Sequence, residues 1–478
     1  MRSWRLTERT AVVLFALART ALCGYRAATQ SITVDEATTY LNYVREHWAN
    51  IWSNYDPNNH ILYSILAQLS VRAFHVSEFS LRLPSVLGGF FFAIGIHRVL
   101  EQTVSSRAIR WIALAGLCTA PLILDFSVAA RGYGLSLALL AWALAFSVRG
   151  RDAWAGVLLG LSLSANFNIA FPALGLIACP VVLGSGRLVD RLRGTCAVAV
   201  PAAAIFVAIC YPVLRQVRAG QLYVGEPAIG PAVYELVFTF IRAIPGHPGW
   251  FGPGLFGAGT GAHAIEYFFL PAVMLFVIAV SVREFRRQKR SRRSLLPPFA
   301  LLLALTAIVC AHVVDGLNYP VDRLGLPLFV LFGLAWAIAA SQVPKPRILA
   351  LNFLLAMLLI AQFLTQFHTR YFALWQFDAP MKLVAQRIGE EVRGRPPGSV
   401  SVSATWFHTP ALEFYRRFYR LTALLPIERH EHTQLRDFDY YVLNLKDDDD
   451  LKGTPPIGRL ILLYRDDFSG VLLAQEPQ

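Results

Sequence analysis

Apolar residues along this chain fall in long blocks, not in the two-residue alternation of a half-buried strand or the single stripe of a soluble amphipathic helix. The blocks lie near 11–29, 83–100, 111–124, 132–148, 153–165, 169–183, 196–214, 264–282, 296–313, 324–340 and 347–366. Most are as long as a bilayer crossing, so the pattern predicts a polytopic helical membrane protein with about eleven spans. Three longer polar stretches interrupt the series, at residues 30–82, 215–263 and 367–478. The predicted organisation is a transmembrane region over 1–366 and a separate C-terminal region over 367–478.

Charge orients the spans. With the N-terminus inside, RAIR at 107–110, RGR at 149–151, RLVDRLR at 187–193, REFRRQKRSRR at 283–293 and KPR at 345–347 all fall on the inner side. One parity satisfies every cluster, as the positive-inside rule demands. The three long polar stretches then lie outside, and a prokaryotic plasma membrane is the expected location. The basic N-terminus MRSWRLTER shows no clear small-x-small cleavage site, so an uncleaved first span is expected. Composition agrees, with 55% hydrophobic and 16% charged residues. The net charge of +13 would be compatible with nucleic acid, but cations placed between apolar blocks point to an anionic leaflet instead.

The outer stretches differ in character. In the first, Tyr40, Tyr43, Val44, Trp48, Ile51 and Trp52 fall on one helical face, and HILYSILAQLSVRAF continues as an apolar helix. Both suit helices lying in the membrane interface, where aromatic residues concentrate. Residues 215–263 are rich in Gly and Pro, as expected of a mobile loop or a substrate lid. The C-terminal stretch reads as a small α/β domain outside the membrane. MKLVAQRIGEEVRG and ALEFYRRFY are its helices, VSVSA and DYYVLNL its strands, and Phe407, Phe414, Tyr415, Tyr440 and Val442 its expected core. KDDDD at 446–450 lacks the Gly and closing Glu of a calcium loop and reads as a solvated turn. The six cysteines all sit in apolar blocks without ligand spacing, which predicts buried packing and no disulfide framework.

Candidate chemistry gathers on the outer side. SITVDEATTY places Asp35 and Glu36 just past the first span, as site residues or as a cap for the next helix. The run between Arg110 and Asp125 spans about 21 Å as a helix, short of a hydrocarbon core of about 30 Å. The turn DFSVAARGY, with Asp125 and Arg131, should therefore lie below the outer surface. A charge near the bilayer centre costs about 2.5–3.5 kcal/mol, so such groups pair with each other or line a wet cavity. NFN at 166–168 makes a second shallow polar turn, PNNHILY contributes His60, and DGLNYPVDRLGLP contributes Asp315, Asp322 and Arg323.

The early VDE, DPNNHILYSIL, SEFSLRLPSVLGG, DFSVAARGYGLSLALL and VDRLGLPLFVLFGLAWA follow one another in an order that resembles the GT-C glycosyltransferases. The resemblance is to the group with protein O-mannosyltransferases and aminoarabinose transferases, and it covers about residues 10–340. It implies transfer of a sugar from a polyprenyl-phosphate donor to a hydroxyl acceptor on the outer face, normally with inversion. It implies Asp35 as base, Glu36 as its support or as organiser of a cation, and Asp125 as the acid of the second outer loop. Arg131 and Tyr133, with His60 and Arg323, would lie near the donor phosphate. Two departures stand out: His60 is followed by Ile-Leu in place of Pro-Pro-Leu, and Leu324 replaces a Tyr after Arg323. A divalent ion on Asp35, Glu36 and Asp125 is left open, because oxygen ligands alone do not name one.

Two other classes share this topology. A transporter or lipid-linked-sugar flippase more often shows internal repeats and broken helices near the midplane, and no such repeat is evident. A non-catalytic membrane subunit with a binding tail leaves Asp125 and Arg131 at depth unexplained except as a pair.

Overall fold

Small residues set how the apolar helices meet. A Cβ on Gly88 would lie 3.1 Å from the Leu135 backbone and one on Gly95 would lie 3.0 Å from Ala141, so the helices Glu78–Thr103 and Gly132–Val148 run side by side in the same direction. Gly156 and Gly160 likewise bring Asp152–Ala165 against the backbone of Leu188–Leu214. The structure is a computed structural model. It describes residues 2–53, 56–216, 225–241, 263–287, 292–343, 345–428, 438–446 and 460–477.

Every expected span is helical. Among the described residues, seven helices are long and apolar enough to cross a membrane: Thr7–Thr29, Glu78–Thr103, Leu188–Leu214, Ile265–Arg287, Arg293–Asp315, Asp322–Ser341 and Pro346–Thr365. Gly132–Val148, Asp152–Ala165 and Phe167–Leu183 are shorter apolar helices. The block at 111–124 divides into Arg107–Thr119 and Pro121–Phe126. Pro121 has no amide hydrogen to continue the first helix but suits the first turn of a new one.

The basic clusters share one end of the bundle. Arg110 pairs with Glu8 at 2.9 Å, Glu8 also faces His97, and Arg293 pairs with Asp152 at 2.8 Å while donating to the Ser147 carbonyl. Thr103 and Val148 end the parallel helices at this same end. The turns that carry Asp35, Arg131, Asn168 and Arg323 lie at the other.

The stretch 30–82 carries the expected apolar helix as Ile61–Phe74, preceded by a broken helical path. The helix Val34–Thr39 passes into a wide turn over Tyr40–Val44, breaks, and resumes as Asn50–Ser53. Its aromatic residues pack into protein. Tyr40 and Val44 enter a core with the C-terminal region, and Tyr43 and Ile51 join Cys210 and Val213 of the helix Leu188–Leu214. Within 215–263, the described part holds the apolar helix Ile229–Ile241, and residues 242–262 lie outside the described residues.

The strands are β1 (Gly225–Glu226), β2 (Tyr319–Pro320), β3 (Val402–Ala404), β4 (Tyr440–Asn444), β5 (Ile461–Asp466) and β6 (Val471–Gln475). β1 and β2 form a short antiparallel pair; the other four form a sheet in the order β3-β4-β6-β5. β3 and β4 are parallel, with Val402 opposite Tyr440, and the remaining pairs are antiparallel. The helices Met381–Glu391 and Thr409–Phe418 complete this α/β region. Its core holds Phe414, Tyr415, Tyr440 and Val442, with Phe407 half-buried against Phe377. The same core also contains Ile32, Tyr40, Tyr63 and Leu81, so the region is fused to the first outer stretch and does not stand alone. Of KDDDD, only Lys446 lies within the described residues. Cys23, Cys118, Cys179 and Cys210 are buried as expected. Cys196 and Cys310 are instead exposed on their helices.

Single cysteines at the exposed Ser185 and Ser399 test the orientation. In intact cells a membrane-impermeant thiol reagent should label Ser399→Cys and spare Ser185→Cys until the membrane is opened. The reverse pattern would invert the topology.

Candidate active site

The adjacent acids have separate fates because of one local motif. Thr33 caps the helix Val34–Thr39: its hydroxyl accepts the Glu36 amide at 3.3 Å, and Glu36 returns a carboxylate oxygen to the Thr33 amide at 2.9 Å. Neither acid is the cap residue. Glu36 turns inward and is fully buried. Its oxygens accept Arg82 Nε at 2.8 Å, Arg82 Nη2 at 2.6 Å and the Ala130 amide at 2.5 Å. Arg82 spends its remaining donors on the carbonyls of Ala27, Gln30 and Ser31.

Asp35 points the other way. Its Oδ2 lies 3.6 Å from Arg131 Nη2 and 3.6 Å from Arg323 Nη1, and it has no hydrogen-bond partner although the atom is buried. Held between two guanidiniums and bonded to neither, this oxygen keeps a lone pair for a ligand.

The sequence ARGYG builds the opposing wall. A Cβ on Gly132 would sit 1.8 Å from the Ala165 carbonyl oxygen and one on Gly134 would sit 2.1 Å from that of Phe126. Only glycine lets the turn pack this closely, and it delivers Arg131 and Tyr133 to the site. Arg131 is almost wholly buried; Nη1 donates to Asn58 at 2.5 Å and Nε lacks a partner. The Tyr133 hydroxyl interacts with Arg323. The Tyr133 ring contacts His60 at 5.3 Å and Phe126 at 4.5 Å, and the Arg323 guanidinium lies over Trp375 at 5.7 Å. Asn168, in the NFN turn, donates from Nδ2 to the backbone carbonyl of Arg323 at 3.2 Å.

His60 is buried, and its Nε2 has no partner. Burial, reinforced by the charges of Arg131 and Arg323, holds its imidazole well below the usual pKa. It is therefore a neutral donor or acceptor at pH 7, not a third cation.

Asp125 leaves the expected set. Its Oδ1 takes Arg26 Nη2 at 2.5 Å and its Oδ2 takes the Ala373 amide at 2.7 Å. Its partner is thus Arg26 of the first helix, not Arg131, and the pair ties that helix to the start of the C-terminal region. Asp322 accepts from Thr239 at 2.8 Å, and Asp315 is exposed. Because Glu36 and Asp125 are committed to arginines and amides, Asp35, Glu36 and Asp125 do not assemble as a metal cage. Among the described residues no group of three His, Cys, Asp or Glu side chains is placed to hold an ion.

Asn58, Trp375, Arg26, Arg82 and Arg19 complete the surroundings and were not singled out by sequence. The same cost of intramembrane charge that flagged Asp125 applies to Arg19 and Arg26. Arg19 is buried and satisfied by the carbonyls of Cys118 and Gly89 and the Ser127 hydroxyl. Asn58 and Trp375 carried no comparable signal.

No family model matches the chain, and no curated protein matches it in sequence. Solved structures do match in fold. ArnT from Cupriavidus metallidurans bound to undecaprenyl phosphate aligns with a TM-score of 0.56 at 13% identity, over 98% of this chain and 99% of that one. The apo form of the same protein aligns with a TM-score of 0.55 at 12% identity, over 99% of this chain and 100% of that one. The chain therefore shares its overall fold with these structures along nearly its whole length.

Breaking one side of a buried ion pair costs about 3–5 kcal/mol. Arg82→Met should therefore sharply lower the thermal stability of the detergent-purified protein, and Arg131→Met should lower it far less. Equal losses would contradict the division between a structural pair and a site arginine.

Proposed function

We propose that the protein is a membrane glycosyltransferase that moves a sugar from a polyprenyl-phosphate donor to a hydroxyl acceptor at the outer face. One observation carries the reading: an unbonded carboxylate oxygen of Asp35 between Arg131 and Arg323. The acceptor is a protein, a glycolipid or a cell-envelope glycan. In the reaction, the acceptor oxygen attacks the anomeric carbon while Asp35 takes its proton. The bond from that carbon to the phosphate oxygen breaks, and the electron pair leaves with the lipid phosphate.

Attack opposite the leaving group inverts the anomeric centre. A phosphate is already a stable leaving group, so the site needs a base and positive charge more than it needs an acid. Arg131 and Arg323 supply that charge, and a planar guanidinium can bind two phosphate oxygens at once. A bound phosphate also draws both arginines away from Asp35, leaving the carboxylate to the acceptor. Tyr133 and neutral His60 add hydrogen bonds at the phosphate or sugar. Glu36 and Asp125 act through the scaffold and not on the substrate.

The fold match to a protein solved with undecaprenyl phosphate supports this donor class. So does an apolar cleft of about 390 Å³ beside Arg323, lined by Phe240, Leu305, Pro320, Gly325 and Phe329 among others, which suits a polyprenyl chain. A flippase would use a phosphate clamp and an apolar cleft but has no use for the free oxygen of Asp35.

Product analysis with a panel of polyprenyl-phosphate sugars tests the reading. Asp35→Asn keeps the shape and removes the proton acceptor, so turnover should fall about 100- to 10,000-fold. Arg131→Ala should lower turnover and also weaken donor binding. Near-normal turnover in folded Asp35→Asn protein would reject Asp35 as the base. Lipid movement without any transferred sugar would favour the flippase.

A further inference from the structure

The mechanism above gives the C-terminal region no chemistry, yet that region grips the peptide on which Asp35 stands. Residues 30–34 lead from the first helix to the helix Val34–Thr39, and four of the five are held from the far end of the chain. Gln30 donates to the Tyr371 carbonyl at 2.9 Å. The Ser31 hydroxyl donates to the Ala379 carbonyl at 2.7 Å and accepts the Lys382 amide at 3.0 Å. The Ile32 amide donates to the Tyr415 hydroxyl at 2.9 Å, and the Val34 amide donates to Asp378 Oδ2 at 2.7 Å.

The last contact is the closest to the site in sequence, because Val34 precedes Asp35. It is also made by an expensive group. Asp378 is 1% exposed. Burial pushes its carboxyl well above the usual range, and the charges of Asp35 and Glu36 push it further. Its Oδ1 has no hydrogen-bond partner and faces Nδ1 of the fully buried His408 at 3.7 Å. Packing alone gives no reason to bury a third carboxyl beside two others. Fixing the first amide of the Asp35 helix does give one.

We infer that Asp378 is a positioning residue for Asp35: its hydrogen bond to the Val34 amide fixes the turn that sets Asp35 between Arg131 and Arg323, and this makes the C-terminal region part of the catalytic unit. The inference rests on the reading of Asp35 as the base. An error of about 1 Å in the placement of a reacting group costs on the order of 100-fold in rate, so the hold on this turn matters to turnover even where the fold survives.

The test uses the full chain in detergent or lipid discs, as Asp378→Ala, Asp378→Asn, Asp35→Asn and the double variant Asp35→Asn/Asp378→Ala. Hydrogen–deuterium exchange reads the hold directly. Asp378→Ala should speed exchange at residues 30–36 by about tenfold or more while leaving 132–148 unchanged, and Asp378→Asn, which keeps an acceptor for Val34, should stay near wild type. With the donor–acceptor pair that turns over in the panel, Asp378→Ala should lower kcat about 10- to 100-fold with donor KM within about threefold, and Asp378→Asn should restore most of it. In the Asp35→Asn background the Asp378→Ala change should cost nothing further. Unchanged exchange at 30–36 would overturn the inference, as would an equal loss of turnover with and without Asp35. Normal turnover in Asp35→Asn would instead reject the base, with the exchange data still deciding whether Asp378 holds the turn.

Discussion

The buried pair of Glu36 and Arg82 is the interaction on which the Asp35 end of the bundle depends. Both side chains are fully buried, and removing two such ions from water is expensive. The cost is offset because most of the contacts also join separate pieces of chain. Glu36 binds its own cap and the Ala130 amide; Arg82 binds three carbonyls at the end of the first helix. One ion pair thereby sets the first helix, the Asp35 turn, the second long helix and the loop before Arg131 in a common frame. Phe372 closes the frame, with its ring 5.1 Å from the Arg82 guanidinium and 5.5 Å from that of Arg26.

Against this satisfied frame, the site is conspicuous for what it leaves unsatisfied. Asp35 Oδ2, His60 Nε2 and Arg131 Nε are buried polar atoms without hydrogen-bond partners, on residues that adjoin one another through Arg131 and Tyr133. Native proteins pair nearly all such groups, so a cluster of exceptions marks where a polar ligand completes the structure. The neighbouring carboxyls follow the opposite rule. Glu36 and Asp125 are bonded on both oxygens, which removes them from chemistry and makes them geometry. Adjacent acids in one dipeptide thus do different work, because a helix N-terminus turns successive side chains about 100° apart.

The membrane fold was legible because span length and cationic clusters are strong, local signals. The expected spans all became helices, and the break at Pro121 is the main local refinement. The site was legible in part. The turn DFSVAARGY, flagged by the short run before Asp125, is buried in protein, and Asp35, Arg131, Tyr133, His60 and Arg323 do converge. The partner of Asp125 was not legible, since Arg26 lies 99 positions away and no spacing rule connects them. The packing of residues 34–53 was not legible for a related reason. Their aromatic face suits a lipid interface or a protein core alike, and the residues it meets lie in the helix Leu188–Leu214 and in the C-terminal region, more than 300 residues on. That distance also hid Trp375 and Asp378. The hairpin of β5 and β6 escaped notice because RLILLYRDD and VLLAQ are short apolar runs that periodicity does not resolve.

The central claim is that Arg131 and Arg323 form the seat of a lipid phosphate with Asp35 on its free side. An experimental structure of the full chain with undecaprenyl phosphate bound tests it most directly. Phosphate oxygens should lie within hydrogen-bonding distance of both guanidiniums, with the lipid chain in the cleft beside Gly325 and the Asp35 carboxylate open toward the outer aqueous side. A phosphate seated at the opposite end of the bundle, near Arg110 or Arg293, would contradict it.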